Sequence, residues 1–405
     1  MTERLYLTDS GLFSCDATVT SCVQCGNGYR IVLDRTVFFP NKGGQPCDTG
    51  RIGDAAVLSC DEEGEELFHL CDRQLKEGSR VKAEIDGERR FDIMQQHTGE
   101  HLLSWCAWTL FGAVNVGFHC ALDYATLDLN KPLSHEQILE MERKANREAA
   151  KNSPVTAREF STEEELNNSG IVLRKHAEGL SAPIRVVTIE GSDSCTCCAP
   201  HVKRTGEIGQ LKITGEMPYK GGMRLTFLCG NRALLHAQRL QDAVDSIALR
   251  FSTGRDNTSG AVEKQAAELS ETKKELKQAY AALDGYLAKE LAQCAEQVKG
   301  IDMLISVLQG VDAKRLRAIA QKTLTKKSVT ALLSETAGTV YYVLASEGIS
   351  TDMGELCKSV NLLTGGKGGG RGTLAQGSAP AKPGLNEIAE QLKTYCRAML
   401  KGDRK

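Results

Sequence analysis

The chain reads as an α+β protein built in successive parts, and three observations predict this. β-rich segments divided by glycine-containing turns fill the first ~90 residues. Helical spacing of apolar residues then takes over in FDIMQQHTGEHLLSWCAWTLFG, residues 91–112. A long stretch with apolar heptads finally separates this middle from a region where strands and helices alternate again. The predicted parts are a β-barrel-like domain over 1–90, an α+β core over 91–231, a helical spacer over 232–299 and an α/β domain over 300–405.

The opening strands are YRIVLDRTVFFP, AAVLSC, LFHLC and RVKAEID, bounded by NG, GG, DG or EG pairs. After the helix ending at Gly112, VGFHCALDYATLDLN predicts a strand pair. HEQILEMERKANREAA (135–150) is an amphipathic helix stopped at Asn152-Ser153-Pro154. IRVVTI, GQLKITGEM and MRLTFLCG continue the core as strand pieces. In the spacer, Val262, Leu269, Leu276 and Leu283 fall seven apart, with Ala266, Tyr280 and Leu287 interleaved and Lys273 breaking the second row. Such a seam suits a helical hairpin, a dimerising coiled coil over 261–291, or one long helix packed on its own domain. The last part predicts a helix at 312–323, strands VTALLSE and TVYYVLAS, a Gly-rich loop and a helix at 385–400.

Composition excludes several classes. Glycines are bunched, which rules out a collagen-like chain. No run approaches the ~18 apolar residues that span a bilayer, and the first twenty residues lack a signal-peptide apolar region. A cytoplasmic protein without a membrane partner is expected, its 15 Cys serving as thiols or metal ligands. The net charge of −2 hides an asymmetry. From Ile301 onward there are 15 Lys/Arg against 9 Asp/Glu, an excess that points toward nucleic acid.

One constellation carries chemistry. His97 and His101 lie four apart within HTGEH, on one face of the predicted helix. CTCCAPH supplies a second pair of that spacing, Cys197 and His201. Imidazole and thiolate are zinc ligands, so the two pairs predict a Zn2+ site, one ion per chain. Cys195 and Cys198 crowd the second pair, and Cys198 with His201 offers an alternative spacing. Glu100 directly precedes the second histidine, whereas a zinc protease needs its Glu directly after the first. Cys22 and Cys25 form a lone C-x-x-C read as a turn or incidental thiols.

HTGEH, C-x-x-x-H and VKRTGEIG together resemble the editing domain of alanyl-tRNA synthetase and its free-standing AlaX relatives. LDRTVFFPNKGGQPCDTG and GFHCALDYATLDL are similar to further segments of that family, and LLTGGKGGGRGTLAQGSA resembles the Gly-rich signature of its C-terminal DHHA1 domain. The order matches the long AlaX form: barrel, zinc editing core, helical spacer, DHHA1-like tail. No aminoacylation domain precedes the editing-like sequence, so the resemblance implies hydrolysis in trans. Departures are Cys198-Ala199-Pro200, where the family often has Gly-Gly-Thr, and Lys42, where Gly or Ser is common.

The resemblance implies deacylation of alanine tRNA mischarged with Ser or Gly. Zinc held by His97, His101, Cys197 and His201 would lower a water's pKa or orient the substrate. Steric exclusion cannot spare Ala while admitting Ser, but a polar group left unpaired by Ala can. Thr36 is the implied sensor of the Ser hydroxyl, and Gln45 the residue positioning water or the carbonyl. Gly366, Lys367, Gly368, Gly369, Gly370 and Arg371 would contact the tRNA body. The alternative is a zinc-stabilised tRNA-binding module without hydrolysis. The lack of an Asp-His-His string argues against a DHH-type phosphoesterase. The spacer or the C-terminal domain would carry any homodimer.

Overall fold

A computed structural model describes residues 2–174, 183–380 and 384–401. They form two compact units, 1–247 and 248–405.

The first unit opens with β1 (Glu3–Arg4), β2 (Ser14–Cys25), β3 (Gly28–Leu33), β4 (Arg35–Thr36), β5 (Gly50–Ile52), β6 (Ala55–Glu63), β7 (Glu66–Cys71) and β8 (Arg80–Ile85). Six of these close into a barrel in the order β2-β3-β7-β6-β5-β8, while β1 and β4 pair in parallel beside it. Inward residues such as Val19, Ile31, Leu33, Ile52, Val57 and Leu67 fill it, as alternation along each strand dictates.

The helix α1 (Gly87–Phe111) follows. It begins earlier than apolar spacing suggests, because Asp86 of the Asp-Gly pair is an N-cap and not a hairpin turn: its carboxylate accepts from the Arg89 N–H at 3.0 Å. Left-handed Gly112 ends it. Next come β9 (Asn115–Cys120), β10 (Ala125–Leu129), α2 (His135–Ala150), β11 (Val155–Phe160), α3 (Glu163–Asn168), β12 (Ile184–Ile189), β13 (Ser194–Thr196), β14 (Leu211–Tyr219), β15 (Gly222–Cys229) and α4 (Asn231–Arg250). The four-stranded sheet β14-β15-β10-β9 packs its Leu127, Leu225 and Phe227 against Leu102, Leu103 and Cys106 of α1 and Met141 of α2. A reciprocal Ser134–Gln137 capping box starts α2. Since α1 is surrounded, every residue from Ile93 to Ser104 is buried, polar ones included. That burial places the histidines in the interior.

The second unit holds α5 (Thr258–Gln293), β16 (Glu296–Val298), β17 (Ile301–Gln309), α6 (Ala313–Lys322), β18 (Ser328–Thr336), β19 (Thr339–Glu347), α7 (Met353–Thr364), β20 (Lys367–Arg371), β21 (Leu374–Pro380) and α8 (Leu385–Lys401). Its sheet runs β16-β17-β18-β19-β21-β20, parallel only where α6 crosses from β17 to β18. The predicted Gly-rich loop is instead an edge strand, with Gly368 opposite Gly377 and Gly370 opposite Ala375. A side chain at Gly370 would collide with the Leu374 carbonyl, so the glycines let β20 close on its neighbour. The heptad residues Val262, Leu269, Leu276 and Leu283 are exposed; α5 reaches its unit's core through Ala288 and Leu291 near its end.

Candidate metal centre

His97 and His101 project from one face of α1, with ring centroids 5.5 Å apart. The loop after β13 brings His201 to 4.8 Å from His97 and 4.6 Å from His101. Cys197 lies among them, its Sγ 3.5 Å from His97 Nε2 and 3.3 Å from His201 Nε2. One donor atom from each of the four falls within 4.8 Å of the others, and all three histidines are buried. Three imidazoles and one thiol form a donor set that fits zinc.

Buried Arg185 secures the cysteine loop by donating to the carbonyls of Cys197 and Ala199 at 2.8 and 3.0 Å. Burial pushes the Cys197 thiol up, but His97 and His201 beside it, with hydrogen bonds from His101 and His201, hold it well below the usual thiol range. Burial pushes His201 down to about 3, against the pull of Cys197. Burial raises the neighbouring Cys198 thiol, reinforced by Cys197. Cys197 belongs to the four-donor group and Cys198 does not.

Each imidazole has a partner on Nδ1. Gln45 Oε1 lies 2.5 Å from His97 Nδ1, Asp193 Oδ2 3.2 Å from His101 Nδ1, and Thr98 Oγ1 3.0 Å from His201 Nδ1. Thr98 gives its one proton to the Met94 carbonyl at 2.8 Å, so it can only accept from His201. With Nδ1–H donating, Nε2 keeps its lone pair for a metal. Sequence reasoning missed Thr98, Asp193 and Arg174. Thr98 was open to discovery inside HTGEH; Asp193 and Arg174 carry no local signal.

Gln45 arrives on a turn that docks against β9. Gly44, at φ 76°, gives its carbonyl to the Cys120 N–H at 2.6 Å, and a side chain there would strike the Phe118 carbonyl. Phe118 itself packs on His97. The same stretch is tied to α1 by a buried Arg90–Asp48 ion pair, with Arg90 also donating to the Val37 carbonyl at 2.6 Å. Beside Gln45 opens a cavity of ≈ 540 Å³ lined by Lys42, Pro46, His119 and Leu122 among others. Gln45 therefore touches both a cavity and a ligand-type histidine.

Thr36 lies elsewhere among the contacts. It is wholly buried, shares a 2.9 Å hydrogen bond with His69 Nε2 and accepts from the Phe38 N–H at 3.1 Å. Glu100 is also committed: it takes hydrogen bonds from Ser104 and from Asn115, the latter at 2.6 Å, and its second oxygen is 3.9 Å from His101 Nε2. Lys367, Gly368, Gly369, Gly370 and Arg371 line the exposed edge strand β20, with Gly366 directly before it.

A β-barrel joined to a buried three-histidine, one-cysteine centre, followed by an α/β unit, defines a class of two-unit proteins with a metal-compatible core. Residues 184–225 match the threonyl and alanyl tRNA synthetase second additional domain, and residues 300–398 the DHHA1 domain. The chain is 32% identical to alanyl-tRNA editing protein AlaX-L of Pyrococcus horikoshii, over 95% of this chain and 96% of that protein. It is 34% identical to alanyl-tRNA editing protein Aarsd1 of Mus musculus over 59% of this chain, an alignment that spans only 58% of the mouse protein. Among solved structures, the C-Ala domain of Aquifex aeolicus alanyl-tRNA synthetase matches at 28% identity over 25% of this chain and 97% of that one, with a TM-score of 0.24. The chain belongs to the alanyl-tRNA editing protein family.

Proposed function

We propose that the chain is an aminoacyl-tRNA deacylase, which hydrolyses the ester of alanine tRNA mischarged with Ser or Gly in trans at a zinc centre. The observation that carries this is the convergence of His97, His101, Cys197 and His201, with the imidazoles' Nδ1 atoms engaged and a cavity beside Gln45. Zinc held there would help orient the aminoacyl end of an ester that is already activated. Gln45 holds His97 and walls the cavity through which the aminoacyl end approaches. Phe118 shields the His97 ring from water. The sensing role of Thr36 uses its one remaining lone pair, since its proton goes to His69 and its other lone pair accepts from the Phe38 N–H. The basic C-terminal region, with Lys367 and Arg371 on β20, contacts the tRNA backbone. The exposed heptad face of α5 joins a second copy of the chain.

Four protein donors match the ligand count of a closed zinc site, which favours substrate orientation over water activation. The same closure supports a second reading, a zinc-stabilised tRNA-binding module without hydrolysis. Ester hydrolysis by the parent chain separates the two, and His201→Ala tests the part the metal plays in it. Zinc content and deacylation should fall together, the latter by at least tenfold; full hydrolysis in the zinc-free variant would take the metal out of the mechanism.

A further inference from the structure

Asp193 is fully buried on the turn between β12 and β13, where its carbonyl accepts from the Ile189 N–H at 2.7 Å. Its carboxylate receives both ends of the Arg174 guanidinium, Nε on Oδ1 at 2.7 Å and a terminal nitrogen on Oδ2 at 3.2 Å. Arg174 is anchored to the same turn by donating its backbone N–H to the Ser194 carbonyl at 2.9 Å. Oδ2 also faces His101 Nδ1. A buried ion pair brings little net stability, because desolvating both ions offsets their attraction. This one has a directed use.

We infer that the Asp193–Arg174 pair positions the metal centre through His101, fixing its tautomer and strengthening Nε2 as a ligand. The three imidazoles are not held alike. His97 and His201 rest on neutral oxygens, those of Gln45 and Thr98, while His101 alone of the three rests on a carboxylate. A carboxylate accepting from Nδ1–H increases electron density on the far nitrogen and orients the ring. Arg174 completes the device by occupying both carboxylate oxygens. His101, Asp193 and Cys195 also lie close enough together to hold an ion, yet a dication there would sit against the guanidinium. Arg174 thus keeps Asp193 out of the ligand set and directs the ion to Cys197. Asp193 is a positioning residue, acting on the metal only through His101.

The inference rests on the metal reading above, and one titration separates them. Zinc(II) affinity of the full chain is measured by competition with a chromophoric chelator, and imidazole tautomers by 15N shifts of the zinc-loaded protein. Asp193→Ala should weaken zinc binding by roughly 10–100-fold and release His101 from the Nδ1–H form. Asp193→Asn, whose amide oxygen still accepts from Nδ1–H, should lose less affinity and keep the tautomer. Arg174→Gln should fall between them. A merely structural pair would lower thermal stability in these variants with zinc affinity within twofold of the parent and the tautomer unchanged, which overturns the inference. If Asp193→Ala does not fold, the Asn and Gln variants decide by the same criterion. Failure of the parent chain to bind zinc would overturn the metal reading and this inference together.

Discussion

The Thr36 hydroxyl has one proton, and its surroundings decide where that proton goes. His69 donates Nδ1–H to the Ile31 carbonyl at 3.1 Å, leaving Nε2 as acceptor for Thr36. Burial pushes His69 down to about 4, outweighing the Ile31 hydrogen bond, so it is neutral in the folded state. An unfolded histidine titrates near 6.5; the folded state therefore holds its full advantage above that pH and loses it as pH falls toward 4. The loss is about 3 kcal/mol. Unfolding free energies of the parent chain and His69→Gln should converge across that window on acidification, and a constant difference would refute the neutral assignment. Thr36→Val should erode the preference for seryl over alanyl ester while zinc content stays unchanged; an unaltered ratio dismisses Thr36 as sensor. The i, i+4 spacing of His97 and His101 made their convergence legible, since helix geometry alone places them together; the equal spacing of Cys197 and His201 pointed to the other half of the cluster. Cys197 could not be separated from Cys198 by spacing. Asp193 and Arg174 were invisible because only the fold brings Asp193 to His101 and Arg174 to Asp193.

At the scale of elements, α2 was legible to the residue through its amphipathic pattern and the Asn152-Ser153-Pro154 stop, with Ile138, Met141 and Ala145 on its buried face. The start of α1 was not, because Asp-Gly serves equally as a turn and as an N-cap followed by a helix. β20 was misread because glycine lacks strand propensity; its place depends on pairing with β21, a tertiary property. The heptads of α5 were legible as a pattern, and Leu269 and Leu276 are about half exposed. Burying the exposed half of each such leucine contributes roughly 1 kcal/mol, enough for several together to drive association. Leu269→Glu with Leu276→Glu should convert a dimer to a monomer in sedimentation without changing zinc content. A monomeric parent chain, or a variant that stays dimeric, contradicts that interface.

Across the whole molecule, similarity to AlaX-L extends over 95% of the chain, both compact units included. The first unit carries the buried metal-compatible centre, and the second carries the basic excess within a net charge of −2. A metal-compatible centre in one unit and a basic excess in the other fit the division of labour of the proposed tRNA ester hydrolase, in which phosphate contacts supply affinity and a pocket supplies selectivity. The central claim is that this pocket removes the wrong amino acid with zinc's help. It is tested most directly by following hydrolysis of Ser-tRNA(Ala) and Ala-tRNA(Ala) side by side, with and without a zinc chelator. Rapid loss of the seryl ester alone, abolished by the chelator, is the expected result. Survival of both esters while tRNA stays tightly bound would contradict it and leave a binding module in its place.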